Sequence, residues 1–189
     1  MSLAYRYNIK LGLIFLEQVF SVMISLYKIY KFMLKITILA VGKIKDENFK
    51  ESFLKYFKRL SPYASINMEE ISPEPFFDNS DREKIKQKEG EKILKYLDKF
   101  SQSKVFILDE NGKEFRSQEF SEFLFRNDLE NLIFVIGGTL GFSNNILNHK
   151  NSIKISLSRM TFPHELARVL LVEQIYRAIA INKNKSYHY

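Results

Sequence analysis

The chain has 189 residues, enough for one domain of ordinary size, and 46% of them are hydrophobic, enough to bury a core. There is no cysteine, which excludes disulfides and thiolate metal sites; His149, His164 and His188 share no metal-ligand spacing, so no metal is expected. The net charge of +7 is uneven, with +3 on residues 1–32, +5 on residues 150–189 and near neutrality between them; the basic C-terminal part suits a polyanion such as RNA, or serves solubility alone.

Taken in order, the chain opens on an apolar stretch, Leu11 to Tyr30, about long enough to span a bilayer. Glu17 has no counter-charge nearby and there is no small-residue cleavage site, both of which argue against a membrane or signal role. An amphipathic helix packed on the domain or a neighbour is a second reading. The preferred reading is an extension, residues 1–32, upstream of a natural start at Met33, with Met1-Ser2-Leu3 resembling a cloning remnant. Residues 33–189 are then a single domain.

Leu34 to Val41 is an apolar, β-branched run ended by Gly42, which predicts a buried strand. Asp46 caps a helix over 47–60 with Phe49, Phe53, Leu54 and Phe57 inward, and Ser61-Pro62 stops it. Ala64 to Ile71 reads as a strand, and 72–80 as a loop with exposed Phe76 and Phe77. Residues 81–98 form a solvated Lys/Glu-rich helix with a stripe of Ile85, Ile93, Leu94 and Leu97; Gly90 in its middle permits close packing. Val105 to Leu108 is a strand followed by an Asp-Glu-Asn-Gly turn, 109–112. Ser117 caps a helix to about Arg126 with Phe120, Phe123 and Leu124 inward.

Leu132 to Ile136 is the next strand, Ser143 opens a short helix, and Ile153 to Leu157 is the last strand. The final helix starts at Pro163 and presents Leu166, Val169, Leu170, Val172, Tyr176 and Ile179 on a broad apolar face. Alternating strands and helices predict an α/β fold, a largely parallel sheet with helices on both faces.

Two strand-ends carry the candidate chemistry. Gly137-Gly138-Thr139-Leu140-Gly141 follows one strand; it lacks the pattern of a dinucleotide or phosphate loop, and by itself is a tight turn or a close approach to a ligand. Leu157 to Phe162 follows the other, and its apolar members either line a pocket or belong to the core. The two loops meet at the carboxyl edge of a parallel sheet, where such sheets bind ligands. His164, next to Pro163, is placed to relay a proton or to act locally at the helix start. Arg168 lies one turn on; it and Arg159 are candidates to hold a phosphate. Tyr187-His188-Tyr189 is a free tail or a stacking platform for an unpaired base.

From Met33 to Tyr189 the segments MLKITILAVGKIK, FILDENGKEF, FVIGGTLGF and SLSRMTFPHELARVLLVEQIYRA, with Tyr-His near the end, resemble the RlmH family of bacterial large-subunit ribosomal RNA pseudouridine methyltransferases, a branch of the SPOUT, or trefoil-knot, methyltransferases. The resemblance implies a deep C-terminal knot and a cytoplasmic homodimer with sites shared between chains. It implies methyl transfer from S-adenosylmethionine to N3 of a pseudouridine in ribosomal RNA. Carried over residue by residue, it puts Leu108, Gly137, Leu157, Ser158, Arg159, Met160, Thr161 and Phe162 at the cofactor, His164 and Arg168 at the chemistry, and Arg159, Tyr187 and His188 at the RNA. Family members end in Tyr-His plus a basic residue, where this chain has Tyr189. A non-catalytic α/β module that binds RNA or the ribosome is the alternative; attachment to a membrane through 11–30 is a third reading.

Overall fold

The computed structural model describes residues 18–23, 34–76, 81–125 and 131–185. It divides into two compact units, Met1–Met33 and Leu34–Tyr189. In the first, residues 18–23 are helical and exposed; the rest of the Leu11–Tyr30 stretch lies outside the described residues. Among the described residues no helix is long and apolar enough to cross a membrane.

The second unit runs β1 (Leu34–Val41), α1 (Glu47–Leu60), β2 (Ala64–Ile71), α2 (Arg82–Leu97), a 3-10 turn (Asp98–Phe100), β3 (Lys104–Lys113), α3 (Ser117–Phe125), β4 (Asn131–Ile136), α4 (Asn144–Leu147), β5 (Ser152–Ile155) and α5 (His164–Asn182). The five strands pair in parallel in the order β2-β1-β4-β3-β5. Side chains alternate across a strand, so each inner strand feeds two cores. Ile36, Ile38, Phe106, Leu132 and Phe134 pack on one face, under α1, α3 and α5. Leu39, Val105, Ile107, Ile133 and Val135 pack on the other, under α2 and α4. The predicted α/β sheet with helices on both faces is what the chain builds.

Several boundaries differ from the sequence expectation, each for a local reason. Leu54 is exposed, because it lies well off the stripe formed by Phe49, Phe53 and Leu60. The Asp-Glu-Asn-Gly segment is not a turn after β3 but a bulge within it: Leu108 and Lys113 both register with Ile155, and the residues between loop out. An Asx bond from the Asn111 amide to Asp109 Oδ1 (2.9 Å) shapes the loop. A Cβ on Gly112 would sit 2.5 Å from the Ile155 backbone, so only glycine allows the passage there. Ser117 is the first residue of α3, not its cap. The Arg116 carbonyl accepts from the Phe120 amide at 2.9 Å, and the Arg116 amide donates to Glu119 Oε2 at 2.9 Å, the reciprocal half of a capping box. Pro163 likewise precedes α5, its carbonyl accepting from the Ala167 amide at 2.9 Å.

α5 is apolar on most of its circumference. The stripe Arg168, Leu171, Val172, Ile175 and Ile179 is buried, whereas Leu166, Leu170 and Tyr176 are half-buried. Ser121 Oγ on α3 donates to the Ala178 carbonyl at 2.7 Å and fixes the two helices to each other. At Gly90, where another backbone was expected to pack closely, the close neighbour is a side chain: a Cβ there would overlap Ser143 Oγ, so the glycine lets α2 lie against the start of α4.

Candidate active site: a cleft at the carboxyl edge

β3, β4 and β5 all end on the same side of the sheet, and the loops leaving them enclose a cleft of about 360 Å³. That volume lies within the usual range of small-molecule sites, ~300–1,000 Å³. The β4 loop is both a turn and a wall. The Gly141 amide donates to the Gly138 carbonyl at 3.1 Å, and Gly141 has φ +77°, a conformation that suits glycine. Gly137 lines the cleft behind the Phe142 ring, which a Cβ on Gly137 would touch at 3.2 Å. Gly138 is wedged between Val41 and the Glu89 carboxylate.

The β5 loop is fixed by its serines. Ser156 Oγ donates to the Ser158 carbonyl (2.8 Å) and accepts from the Ser158 amide (3.1 Å); Ser158 Oγ accepts from the Met160 amide (3.1 Å). These bonds hold an irregular segment that must present Leu157 and Phe162 to the cleft. Met160 is 69% exposed at its lip.

Of the residues expected at a cofactor, Leu108, Gly137, Leu157, Ser158, Met160, Thr161 and Phe162 line this single cleft. Arg159 does not: its side chain is 89% exposed and pairs with Glu114 at 3.5 Å, outside the lining. Asp109 and Glu110 line it as well, brought there by the β3 bulge, together with Thr139, Leu140, Phe142, Ser156 and Ala167. Apart from Ala167, which lies in the first turn of α5, their one sequence signal is adjacency to a strand end; residue type alone does not mark them.

His164 lines the cleft from the first turn of α5 and is half-buried. Burial, then the positive charges of Arg168 and Lys45, push its pKa below the usual imidazole value, with Glu165 opposing. Glu165 Oε2 accepts the Lys45 (2.8 Å) and Asp46 (3.0 Å) amides; these bonds, that of Asp46 first, lower its pKa and tie the β1–α1 connection to α5.

Arg168 is the main correction. Its side chain is fully buried, Nη2 donating to the carbonyls of Val41 (2.9 Å) and Gly42 (3.0 Å) and Nη1 to Glu70 Oε1 (3.3 Å). The expected phosphate contact is not available to a guanidinium held in this way. Tyr187 and His188 lie outside the described residues. Among the described residues no group of three or more His, Cys, Asp or Glu is placed to hold a metal ion.

A parallel α/β domain with a ligand cleft between two strand-end loops belongs to the broad class of doubly covered sheets that bind cofactors at their carboxyl edge. The chain belongs to the SPOUT methyltransferases: the family model described as "Predicted SPOUT methyltransferase" matches residues 34–188. It is 43% identical over 161 residues to the ribosomal RNA large subunit methyltransferase H of Carboxydothermus hydrogenoformans, covering 82% of this chain and 99% of that one. The protein of the same name from Clostridium tetani is 45% identical over 163 residues, with the same coverage. Among solved structures, the SpoU methyltransferase AviRb from Streptomyces viridochromogenes, in complex with AdoMet, aligns at a TM-score of 0.43 and 10% identity over 82% of this chain and 60% of that one, a likeness too weak to carry weight of its own.

Proposed function

We propose that the protein transfers a methyl group from S-adenosylmethionine to N3 of a pseudouridine in large-subunit ribosomal RNA, acting in the cytoplasm as a homodimer. The observation that carries this reading is the single cleft that gathers both strand-end loops and His164. The residues present fit the cofactor: Leu108, Leu157 and Phe162 offer apolar walls for an adenine, and Gly137 leaves room where a side chain would press on Phe142. When bound, S-adenosylmethionine supplies an electrophilic methyl group on a sulfonium sulfur.

The chain's own part is orientation and one proton. The loops hold the reactants in line. As the N3–C bond formed, the methyl–sulfur bond would break, the sulfur leaving as a neutral thioether, and the N3–H bond of the base would break with it. The proton passes to a ring nitrogen of His164, which burial keeps neutral and so able to accept it, and then to solvent. Arg168 is a positioning residue that holds the end of β1 against α5. Arg159, exposed at the edge of the cleft, is available to RNA phosphate.

The course of α5 supports the dimer. It begins at His164 beside the cleft and, at 1.5 Å per residue over 19 residues, ends about 28 Å away. There Lys185 bonds the Tyr63 hydroxyl and lies over its ring, at the start of β2 and the opposite edge of the sheet. Tyr187 and His188 follow by two and three residues, a reach of about 10 Å at most. If they handle the target RNA, they do so at the partner's cleft. The family's trefoil knot belongs to the same proposal. Residues 1–32 we place outside the catalytic unit.

The test is calorimetry of the full chain with S-adenosylmethionine, joined to mass spectrometry of ribosomal RNA from ribosomes lacking this methyl group. Micromolar or tighter binding with one added methyl on the pseudouridine is expected. RNA binding without cofactor binding would make the protein the non-catalytic module instead.

A further inference from the structure

Beside the cleft lies a second pocket of about 220 Å³, and the two share Gly138, Thr139, Leu140 and His164 as a common wall. Its sides are apolar, from Val41, Ile85 and Leu140. One buried carboxylate stands in it: Glu89, 5% exposed. Glu89 Oε1 accepts the Glu74 amide at 3.0 Å. Oε2 is turned to the common wall, 3.0 Å from where a Cβ on Gly138 would lie. At the mouth stand the exposed Lys43 and Lys45 and the half-exposed ring of Phe76.

An ionised carboxylate is costly to bury, and Glu89 stands in the inner stripe of α2 between Ile85 and Ile93, where an apolar residue would pack without that cost. Glu74 and Glu165 also line the pocket, but Glu74 is paired with Lys88 and Lys92 and Glu165 accepts the Lys45 and Asp46 amides. With those carboxylates engaged, the apolar sides, Glu89 Oε2 and the lysines at the mouth describe a seat for a flat, N–H-bearing ring on a phosphodiester strand.

We propose that this pocket seats the target base and that Glu89 is the residue that distinguishes a carbon-linked uracil from a nitrogen-linked one. The inference rests on the methyl-transfer reading above. A carbon-linked uracil carries hydrogens on both N1 and N3. With sugar and N3 held in place, uridine presents its C5–H where pseudouridine presents N1–H. N3 faces the cleft past His164, at the edge of the common wall, the side from which the methyl group would come; N1–H donates to Glu89 Oε2. Uridine would leave that oxygen buried against a C–H, and a site built to bond an N–H rejects an analogue that lacks it. Lys43 and Lys45 hold the flanking phosphates, which position the strand without reading it. Phe76 offers a face to the neighbouring base.

The experiment compares kcat/KM on ribosomes carrying pseudouridine or uridine at the target. In E89Q the amide oxygen can keep the Glu74 bond, which turns an NH2 group toward the base. E89Q should lose at least tenfold on pseudouridine and little on uridine, so the preference shrinks at least tenfold while calorimetric affinity for S-adenosylmethionine stays within twofold. K43E, at an exposed position that does not threaten folding, should raise KM for ribosomes at least fivefold; K99E, at the opposite edge of the sheet, should not. An active parent whose preference survives E89Q overturns the role of Glu89. An unchanged KM in K43E overturns the pocket as the seat of the target. A parent inactive on both kinds of ribosome overturns the catalytic reading itself, and this assignment with it.

Discussion

The guanidinium of Arg168 donates to the carbonyl of Val41 at 2.9 Å, joining residues 127 positions apart. That bond, with its companion to Gly42, satisfies the last carbonyl of β1 and the one that follows it, where the chain leaves the sheet. It also sets the start of α5, and therefore His164, against Gly42: the imidazole Nε2 lies 3.5 Å from where a Cβ on Gly42 would be. Replacing Arg168 by Leu would leave two buried carbonyls unpaired, at a cost of about 3 kcal/mol. Denaturant unfolding should show that loss, and residual activity at low temperature should fall together with the ordering of His164.

Gly137→Val tests the cleft. The new side chain meets the Phe142 ring and drives it into the ligand's space. Affinity for S-adenosylmethionine should fall at least tenfold, while the urea m-value, which tracks the surface exposed on unfolding, stays unchanged. Gly141→Ala makes the contrast. Open space surrounds its Cβ position, but φ is +77°, so the expected cost is strain of about 1–2 kcal/mol in stability.

His164 should set the acid limb of the pH profile. Its pKa is lowered from 6.5, chiefly by burial. kcat/KM should therefore rise with pH through a point below 6.5 and be level above it. The same shift bears on stability: the unfolded chain takes up the proton first as pH falls, so this group's contribution is present above 6.5 and is lost as pH falls through the folded value. His164→Ala should abolish the limb and slow methylation by about 10²–10⁴.

The proposed dimer is best probed at Leu170. Val169 belongs to the core, and Tyr176 packs on Tyr56 with ring centroids 6.3 Å apart, so Asp at either would damage the fold of one chain. Leu166 and Leu170 are half-buried one turn apart and give α5 an apolar face that its own chain covers only in part. Leu170→Asp should yield folded monomers in sedimentation velocity; an unchanged dimer would place the interface elsewhere.

Deleting Tyr187–Tyr189 should leave cofactor affinity unaltered and reduce methylation of ribosomes at least tenfold, about 1.4 kcal/mol at the transition state. Mixing this truncated chain with His164→Ala should restore activity in heterodimers, because one protomer then supplies the cleft and the other the tail. Absence of rescue would mean the tail serves its own cleft or none.

What the sequence disclosed follows a physical division. β1 and β2 were legible to the residue: β1 is an apolar run ended by Gly42, and β2, half of it polar, is confined between Pro62 and Pro73. So was the start of α1, where Asp46 Oδ1 accepts the Asn48 and Phe49 amides. The two cleft loops were legible as strand ends. The charged residues were not. Arg159 and Arg168 look equally available in sequence, yet one is exposed and the other is fully buried among backbone carbonyls, which no side-chain pattern reports. Glu89 sits at helical spacing between Ile85 and Ile93, so periodicity places it on the inner face of α2, but nothing in the sequence reports what its carboxylate meets there. The 109–112 segment has turn chemistry, and only the pairing of Lys113 with Ile155 shows that the strand resumes beyond it.

The strand order also sets the time at which the cleft comes into being. β1 pairs with β4, placing Lys35 opposite Asn131, and β3 pairs with β5; every one of these ladders closes a long loop of chain. Such non-local pairings form slowly, since the entropy of loop closure precedes the reward of contact. Synthesis delivers the N-terminal strands first, whereas one wall of the cleft and His164 come from residues 156–167. A nascent chain can therefore assemble β1 and β2 well before it has anywhere to put a ligand. Competence to hold the cofactor arrives last, as the signal that the sheet is complete.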